Sequence, residues 1–366
     1  MSSCTSSDNQ FMSRALSRAW EVKGSTHPNP AVGAVVVLDG LVKGEGKTAP
    51  CGGPHAEVGA LRQAGSSARG ANLYVTLEPC CHYGRTPPCT RAIIEAGIRR
   101  VVVAHRDPFE AVAGRGIAQL RRAGITVDVG VCRQEAARIN EDYFWSVRTQ
   151  RPWVSLKLAL TMDGRVADLG GCSQWITGVA SRRVVQELRR QHSAVAVGWK
   201  TLVADTSRLT IRTRGVERGT RVVFAGRTPR SAHCAFVGNA PRVRSIIVRP
   251  GGEKARKESG EDGTQVWFTG CRTRLGSFRS FLRMAHEDGM RSVLIEGGAV
   301  LGSTILEAGL VNRIHLFYAP VVLGGGVDGL RFHSPRALSA ALRFTDIAYR
   351  QLGNDVMMTA LCESEG

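Results

Sequence analysis

His55-Ala56-Glu57, followed by Glu78-Pro79-Cys80-Cys81-His82 and then Pro87-Pro88-Cys89, is the stretch on which the reading of the chain turns. It offers an imidazole and thiols in the pattern of a zinc site. A structural zinc site is closed by four protein ligands, whereas a catalytic one keeps three and leaves the fourth position open to water. His55 opens a segment that reads as a helix ending at Gly65, so His55 and Glu57 stand at a helix N-terminus, where the dipole favours negative charge. Asn72–Leu77 reads as a strand running into the Cys80 loop, and Cys89 begins the next helix. Beyond it, Arg100–Ala104 and Thr126–Val129 read as strands around a helix at Gly116–Ala123. Strands alternating with helices imply an α/β layer with ligands at two helix starts.

The pattern H-x-E, then P-C, then a further Cys resembles the zinc deaminases of bases and nucleosides. The resemblance implies His55, Cys80 and Cys89 as ligands of one Zn²⁺. It makes Glu57 the catalytic residue, carrying a proton from water to the leaving amino nitrogen without touching the metal. A zinc ion of this kind brings the pKa of its water near neutrality. The usual second element is C-x-x-C, but here eight residues separate Cys80 from Cys89. With that insert, Thr76–Cys89 closely resembles the riboflavin-biosynthesis deaminase, in which the insert helps to hold the phosphoribosyl arm of a pyrimidine. Arg85 and Asn29 are the implied substrate contacts. Asn29 lies in Thr26-His27-Pro28-Asn29-Pro30, and from spacing alone it suits turn chemistry as well as a pocket. Cys81 occupies a position usually held by Ser or another small residue and is expected to be a bystander. Phe109 and Gly59 replace an Asn and a His common in the family.

Outside that stretch, composition sets limits. The 366 residues exceed one ordinary core and suit two domains, 1–150 and 151–366, with the boundary near Gln150. No apolar run approaches the length needed to cross a bilayer. The polar start has no signal-peptide pattern, and ten Cys at irregular spacing do not suggest a disulfide framework; a cytoplasmic protein is expected. Net charge is +18. Residues 1–150 carry 18 basic and 13 acidic side chains, and residues 151–366 carry 31 and 18. Such an excess serves nucleic-acid binding, steering of phosphorylated ligands, or a solvated surface. Aromatics are only 6%, and no dense Lys/Arg run is interleaved with them, so no nucleic-acid partner is expected. The expected partners are a phosphorylated small molecule and further copies of the chain in a homo-oligomer.

In the second half, Trp153–Leu160, Ala194–Gly198, Arg221–Ala225, Ser245–Val248, Ser292–Ile295 and Arg313–Ala319 read as strands. Val179–Gln191, Leu275–Glu287 and Val300–Ala308 read as helices. Pro250–Thr264 reads as a surface loop, and Phe344–Leu352 with Asp355–Leu361 as a hairpin turning at Gly353-Asn354. Strand, Gly297-Gly298, helix is a phosphate-binding arrangement of bare amides and a dipole. It is not the G-x-G-x-x-G fingerprint of a Rossmann domain.

Lys157-Leu158-Ala159, Asp163-Gly164-Arg165, Gln174-Trp175-Ile176-Thr177, Leu202–Asp205, Leu209–Arg212 and Glu296–Ala299 together resemble the reductase of the same pathway. That family has a dihydrofolate-reductase-like fold and uses NADPH. The resemblance implies Ala159, Trp175, Thr201 and Asp205 as cofactor contacts. It gives Gly298, Ala299, Val300, Leu301, Gly302, Ser303 and Thr304 to the pyrophosphate. It places Ser173, Arg189, Leu209, Arg212 and Glu296 around the substrate, where two Arg forks suit a phosphate and Glu296 suits sugar hydroxyls. Trp199-Lys200 and Thr206-Ser207 depart from the family pattern.

These readings combine into an α/β chain with a cytidine-deaminase-like α/β/α domain and a dihydrofolate-reductase-like domain. It is expected to deaminate 2,5-diamino-6-(5-phosphoribosylamino)pyrimidin-4-one and then reduce the ribosyl group to ribityl. The alternatives are a tRNA deaminase with a basic accessory domain, and a deaminase whose second domain is not catalytic.

Overall fold

Strands β1 (Gly33–Leu38), β2 (Leu41–Lys47), β3 (Asn72–Leu77), β4 (Arg100–His105) and β5 (Thr126–Val129) form a sheet in the order β2-β1-β3-β4-β5. β1 is antiparallel to both neighbours, while β3, β4 and β5 run parallel. The computed structural model describes residues 6–84, 86–205, 208–213, 216–226, 236, 238, 243–260 and 263–363. The chain divides into two compact units between Gln150 and Arg151, and this sheet is the centre of the first.

Period-two burial explains its layers. Ala34, Val36, Leu73, Val75, Val101 and Val103 face one way, against Ala56, Ala60, Ala64, Ile93, Ile117 and Leu120 of three helices. Val35, Val37, Tyr74, Val102 and Ala104 face the other, against Met12, Ala15, Leu16, Ala19, Ala136 and Ile139. The first helix, Ser6–Val22, buries the stripe Met12-Ala15-Leu16-Ala19-Val22. Residues 8–22 read as an amphipathic helix with Phe11, Ala15, Leu16, Ala19 and Trp20 on one face, but Trp20 is 42% exposed. The helix Ala56–Ala64 lies directly on β2, because a Cβ at Gly44 or Gly46 would come within 2.2 or 1.9 Å of the Ala60 or Ala56 carbonyl oxygen. That close approach fixes where His55 and Glu57 stand.

One expected helix is two. Cys132–Arg148 reads as a single helix, but the structure has Arg133–Ile139 and Glu141–Thr149, broken at Asn140. The Asn140 side chain accepts from Ala31 N–H and donates to the Ala31 carbonyl, both at 2.9 Å. An amide committed to a strand-leading loop holds its own backbone out of helix.

The second unit is built on ten strands in the order β13-β14-β12-β11-β8-β15-β6-β16-β19-β18. These are β6 (Trp153–Thr161), β8 (Ala194–Gly198), β11 (Thr220–Phe224), β12 (Arg244–Arg249), β13 (Ala255–Ser259), β14 (Gln265–Thr269), β15 (Ser292–Glu296), β16 (Arg313–Ala319), β18 (Phe344–Leu352) and β19 (Asp355–Cys362). Short pairs form from β7 (Arg165–Ala167) with β17 (Val327–Asp328), and from β9 (Ile211–Thr213) with β10 (Val216–Arg218). The run from β14 to β16 is parallel, with antiparallel strands outside it. Val154, Leu156, Leu158 and Leu160 of β6 pack with Phe278, Phe281, Leu282, Leu301, Ile305 and Leu306 of the helices Arg274–Glu287 and Ala299–Glu307. On the opposite face, Val185 and Leu188 of the helix Val179–Gln191 meet Leu294 and Phe317.

Part of the stretch expected to be a loop is the edge strand β13, exposed at every residue and paired with β14. β14 itself carries the fully buried Trp267. Its five residues flank a Gly- and charge-rich segment, so its burial is not evident from periodicity.

Candidate active sites

In the first unit His55 is the N-cap residue of Ala56–Ala64, and its side chain makes no cap hydrogen bond. Cys89 is the first residue of the helix Cys89–Glu95 and fully buried. Cys80 lies between β3 and that helix. Nδ1 of His55 is 3.2 Å from Cys89 Sγ and 3.5 Å from Cys80 Sγ. The three donor atoms lie within 4.8 Å of one another, the group among the described residues able to hold a metal ion. A tetrahedral zinc with bonds of about 2.0 Å to nitrogen and about 2.3 Å to sulfur separates the two ligand atoms by about 3.6 Å. The donor set therefore fits zinc in both chemistry and spacing.

The electrostatics agree. The Cys89 hydrogen bond, with help from His55, pulls the Cys80 thiol down to about 4. Cys89 goes up, because it holds its proton against Cys80 in a buried place. The hydrogen bond to Cys80 also raises His55. Thiols ligate as thiolates, so a divalent cation binding here releases protons. Glu57 is 4% exposed, and burial, reinforced by Cys80, pushes its carboxyl up to about 7. Cys81 turns its Sγ to the Ala111 carbonyl at 3.6 Å and stands outside the group.

Around this centre, the bonds described for Asn29 run through its backbone, which closes a turn with Thr26. Arg85 lies outside the described residues. The motif reading gives Glu78 no role, yet it is buried and ties the ligand loop to the segment after β4. Its carboxylate accepts from the N–H groups of Gly114, Ile117 and Asp107 at 3.0, 3.2 and 3.4 Å. A carboxylate immediately before Pro-Cys, after an apolar strand, is the available signal for it.

In the second unit Ala159, Thr201, Asp205 and Glu296 stand toward or just after the carboxyl ends of β6, β8 and β15. Glu296 ends β15, and Gly297 and Gly298 follow with φ of +65° and +80°, a conformation that favours glycine. A Cβ on Gly298 would meet Thr201 Oγ1 at 2.9 Å, so Thr201 lies against this turn. Asp205, in the same short helix as Thr201, accepts from the Ser173 hydroxyl at 2.5 Å, and its carbonyl accepts from Gln174 at 2.7 Å. Trp175 is 71% exposed with the Arg182 guanidinium 4.6 Å from its ring centre, so it is not a core residue. Within 298–304, Val300 is exposed, whereas Leu301, Gly302 and Ser303 are buried. Thr304 donates its hydroxyl to Val300. Ala159 is half-buried on β6, on the face that carries Lys157.

Arg189 is placed differently from the expected phosphate fork. Its Nε and Nη2 donate to the two oxygens of Glu296 at 2.6 and 2.8 Å, and Nη1 donates to the Thr210 carbonyl at 3.0 Å. Both partners are 7% exposed. Burial alone would raise the Glu296 carboxyl, but Arg189 and Lys157 outweigh it and hold the group below the usual carboxylate range. Leu209 is buried at a positive φ of 55°, and Arg212 is exposed beyond it. Lys157, quoted in the motif without a role, pairs in register with Glu296 on one side and His315 on the other. Burial lowers its pKa, opposed by Glu296.

Comparison with known proteins assigns both units. The family described as the cytidine and deoxycytidylate deaminase zinc-binding region matches residues 5–105, and the RibD C-terminal domain matches residues 152–358. Riboflavin biosynthesis protein RibD of Aquifex aeolicus is 42% identical over 354 residues, covering 96% of this chain and 97% of that one. The Escherichia coli RibD is 38% identical, covering 96% and 98%. A solved structure of Acinetobacter baumannii RibD superposes with a TM-score of 0.83 at 35% identity, over 98% and 99% of the two chains. A Thermotoga maritima structure, described as a diaminohydroxyphosphoribosylaminopyrimidine deaminase/5-amino-6-(5-phosphoribosylamino)uracil reductase, gives 0.85 at 34%, also over 98% and 99%. The first unit thus has the cytidine-deaminase-like fold, and the second is the RibD reductase domain with its dihydrofolate-reductase-like fold. With a three-donor group that fits zinc in one unit, a Gly-Gly turn leading into a helix in the other, and likeness running almost end to end, this chain belongs to the RibD family of bifunctional riboflavin-biosynthesis enzymes, deaminase and reductase on one polypeptide.

Proposed function

We propose that the first unit converts 2,5-diamino-6-(5-phosphoribosylamino)pyrimidin-4-one to the corresponding uracil, and that the second reduces the ribosyl side chain of that product to ribityl with NADPH. The observation that carries the reading is the closure of His55, Cys80 and Cys89 around one point with a buried carboxyl beside it. Zinc held there supplies Lewis acidity that makes water a nucleophile near neutral pH. Glu57 takes a proton from the attacking water and delivers it to the amino nitrogen. The carbon–nitrogen bond breaks, ammonia leaves, and a carbonyl remains.

In the second unit NADPH supplies the hydride. The acceptor is the anomeric carbon of the ring-opened sugar, and a proton completes the reduction. Ala159, Trp175, Thr201, Asp205 and the backbone of 298–304 border the cofactor in this reading. Ser173, Leu209, Arg212 and Glu296 border the substrate, with Arg189 holding Glu296 ionised and oriented. Asn29 and Arg85 serve the deaminase substrate. The surplus of positive charge in residues 151–366 serves phosphorylated small molecules rather than nucleic acid. No helix among the described residues is long and apolar enough to cross a membrane. The irregular cysteine spacing fits a reducing, cytoplasmic setting.

The test is a two-stage assay. Substrate without NADPH is expected to release ammonia and accumulate the deaminated product, and addition of NADPH is expected to consume it. Ammonia release with no NADPH oxidation on that product would leave the second unit without its assigned role.

A further inference from the structure

One ring nitrogen of His55 has no part in the metal group. Nδ1 faces both sulfurs. An imidazole that ligates through Nδ1 carries its proton on Nε2, and an acceptor at Nε2 sets the tautomer and the ring plane. Nε2 lies 3.5 Å from Oγ1 of Thr86. We propose that Thr86 is a positioning residue of the metal centre, its hydroxyl oxygen accepting the Nε2–H of His55 and holding Nδ1 toward the metal. This rests on the zinc reading given above.

Thr86 belongs to the eight-residue insert between the two cysteine ligands. The same insert ends at Cys89, whose backbone N–H donates to Cys80 Sγ at 3.4 Å. Thr86 itself is half-buried, and its carbonyl accepts from Gly84 N–H at 3.3 Å. The insert thus touches all three ligands: it starts at one, ends at another, and reaches the third through Thr86.

Zinc affinity of the full-length protein, measured by competition with a chromogenic chelator, tests this directly. Thr86→Val removes the acceptor at nearly constant shape and is expected to weaken zinc binding by about 10- to 100-fold, the usual loss for an outer-shell partner. Thr86→Ser keeps the hydroxyl and is expected to bind as the parent does. The cobalt-substituted protein adds a spectroscopic reading: its ligand-field bands should shift in Thr86→Val and not in Thr86→Ser. Thr86→Ala removes the same acceptor without added bulk and should follow Thr86→Val, and far-UV circular dichroism with thermal unfolding of each variant checks that the first unit is folded. Parental affinity and spectrum in Thr86→Val would overturn the proposal. Equal weakening in the Val and Ser variants would also overturn it, because loop packing rather than the hydroxyl would then be responsible. A parent protein whose metal content is unaffected by Cys80→Ser would instead overturn the zinc reading.

Discussion

In the first unit the ligand atoms come from one helix start, the loop after β3, and the next helix start, and they close to within 4.8 Å. In the second unit Glu296 is met by an arginine 107 positions earlier in the chain. Its neighbours come from strands that start at Trp153 and Ala194, brought alongside by sheet order. The contrast shows two ways of specifying a site. Metal coordination restricts donor type and distance so strongly that a short motif suffices. A site at the carboxyl ends of parallel strands is specified by topology, and its members carry little local signature. The two also differ in what holds them. The metal group is a set of donors that a cation holds together, whereas in the Arg189–Glu296 pair each charge compensates the other in a buried place.

The largest effect expected from breaking this comparison is at the cysteines. Wild-type protein should contain about one zinc per chain. Cys80→Ser should lose it, and ammonia release with it, while Cys81→Ser keeps both and NADPH-dependent reduction survives in each. Metal analysis beside the two assays decides this; loss of zinc from Cys81→Ser with retention in Cys80→Ser would reassign the ligand.

Next is Arg189→Met. Removing one member of a buried ion pair costs about 3–5 kcal/mol, since the other charge is left uncompensated. Denaturant unfolding of the second unit should register that loss while zinc content stays unchanged. Arg189→Met combined with Glu296→Leu should recover part of the stability but none of the reduction. Equal stability of the single variant and the parent would mean that Glu296 finds other partners.

The smallest effect concerns His315, which is 6% exposed and pushed down to about 3, chiefly by burial. In the unfolded chain its pKa is about 6.5, so the unfolded state takes up a proton that the folded state refuses. The stability this group supports is complete above about pH 6.5 and declines as pH falls toward 3. The loss is about 2 kcal/mol at pH 5. His315→Phe should flatten the decline between pH 7 and 5; an unchanged slope would locate the acid sensitivity elsewhere.

Much of the first site was legible in the sequence because its information is local. His55, Glu57, Cys80 and Cys89 lie in one motif, and its resemblance to the zinc deaminases implied both the residues and the chemistry. The break at Asn140 was not legible, because its cause is Ala31, 109 positions away. β13 was hidden by composition: an exposed edge strand rich in charge looks like a loop until β14 is found beside it. Arg189 was named as a site residue but given a phosphate to bind, since nothing near residue 189 reveals that its fork meets Glu296. Thr86 lay inside a quoted motif, and only the orientation of the His55 ring distinguishes it from its neighbours.

The central claim is that one chain carries two separable reactions, and Glu57→Gln tests it most directly. The variant should keep its zinc and release ammonia on the order of a hundredfold more slowly or worse, as expected when a general acid–base group is removed. With the already deaminated substrate it should still oxidise NADPH at the parental rate. Ammonia release near the parental rate would remove Glu57 from the mechanism, and loss of both activities together would contradict the separation of the two sites.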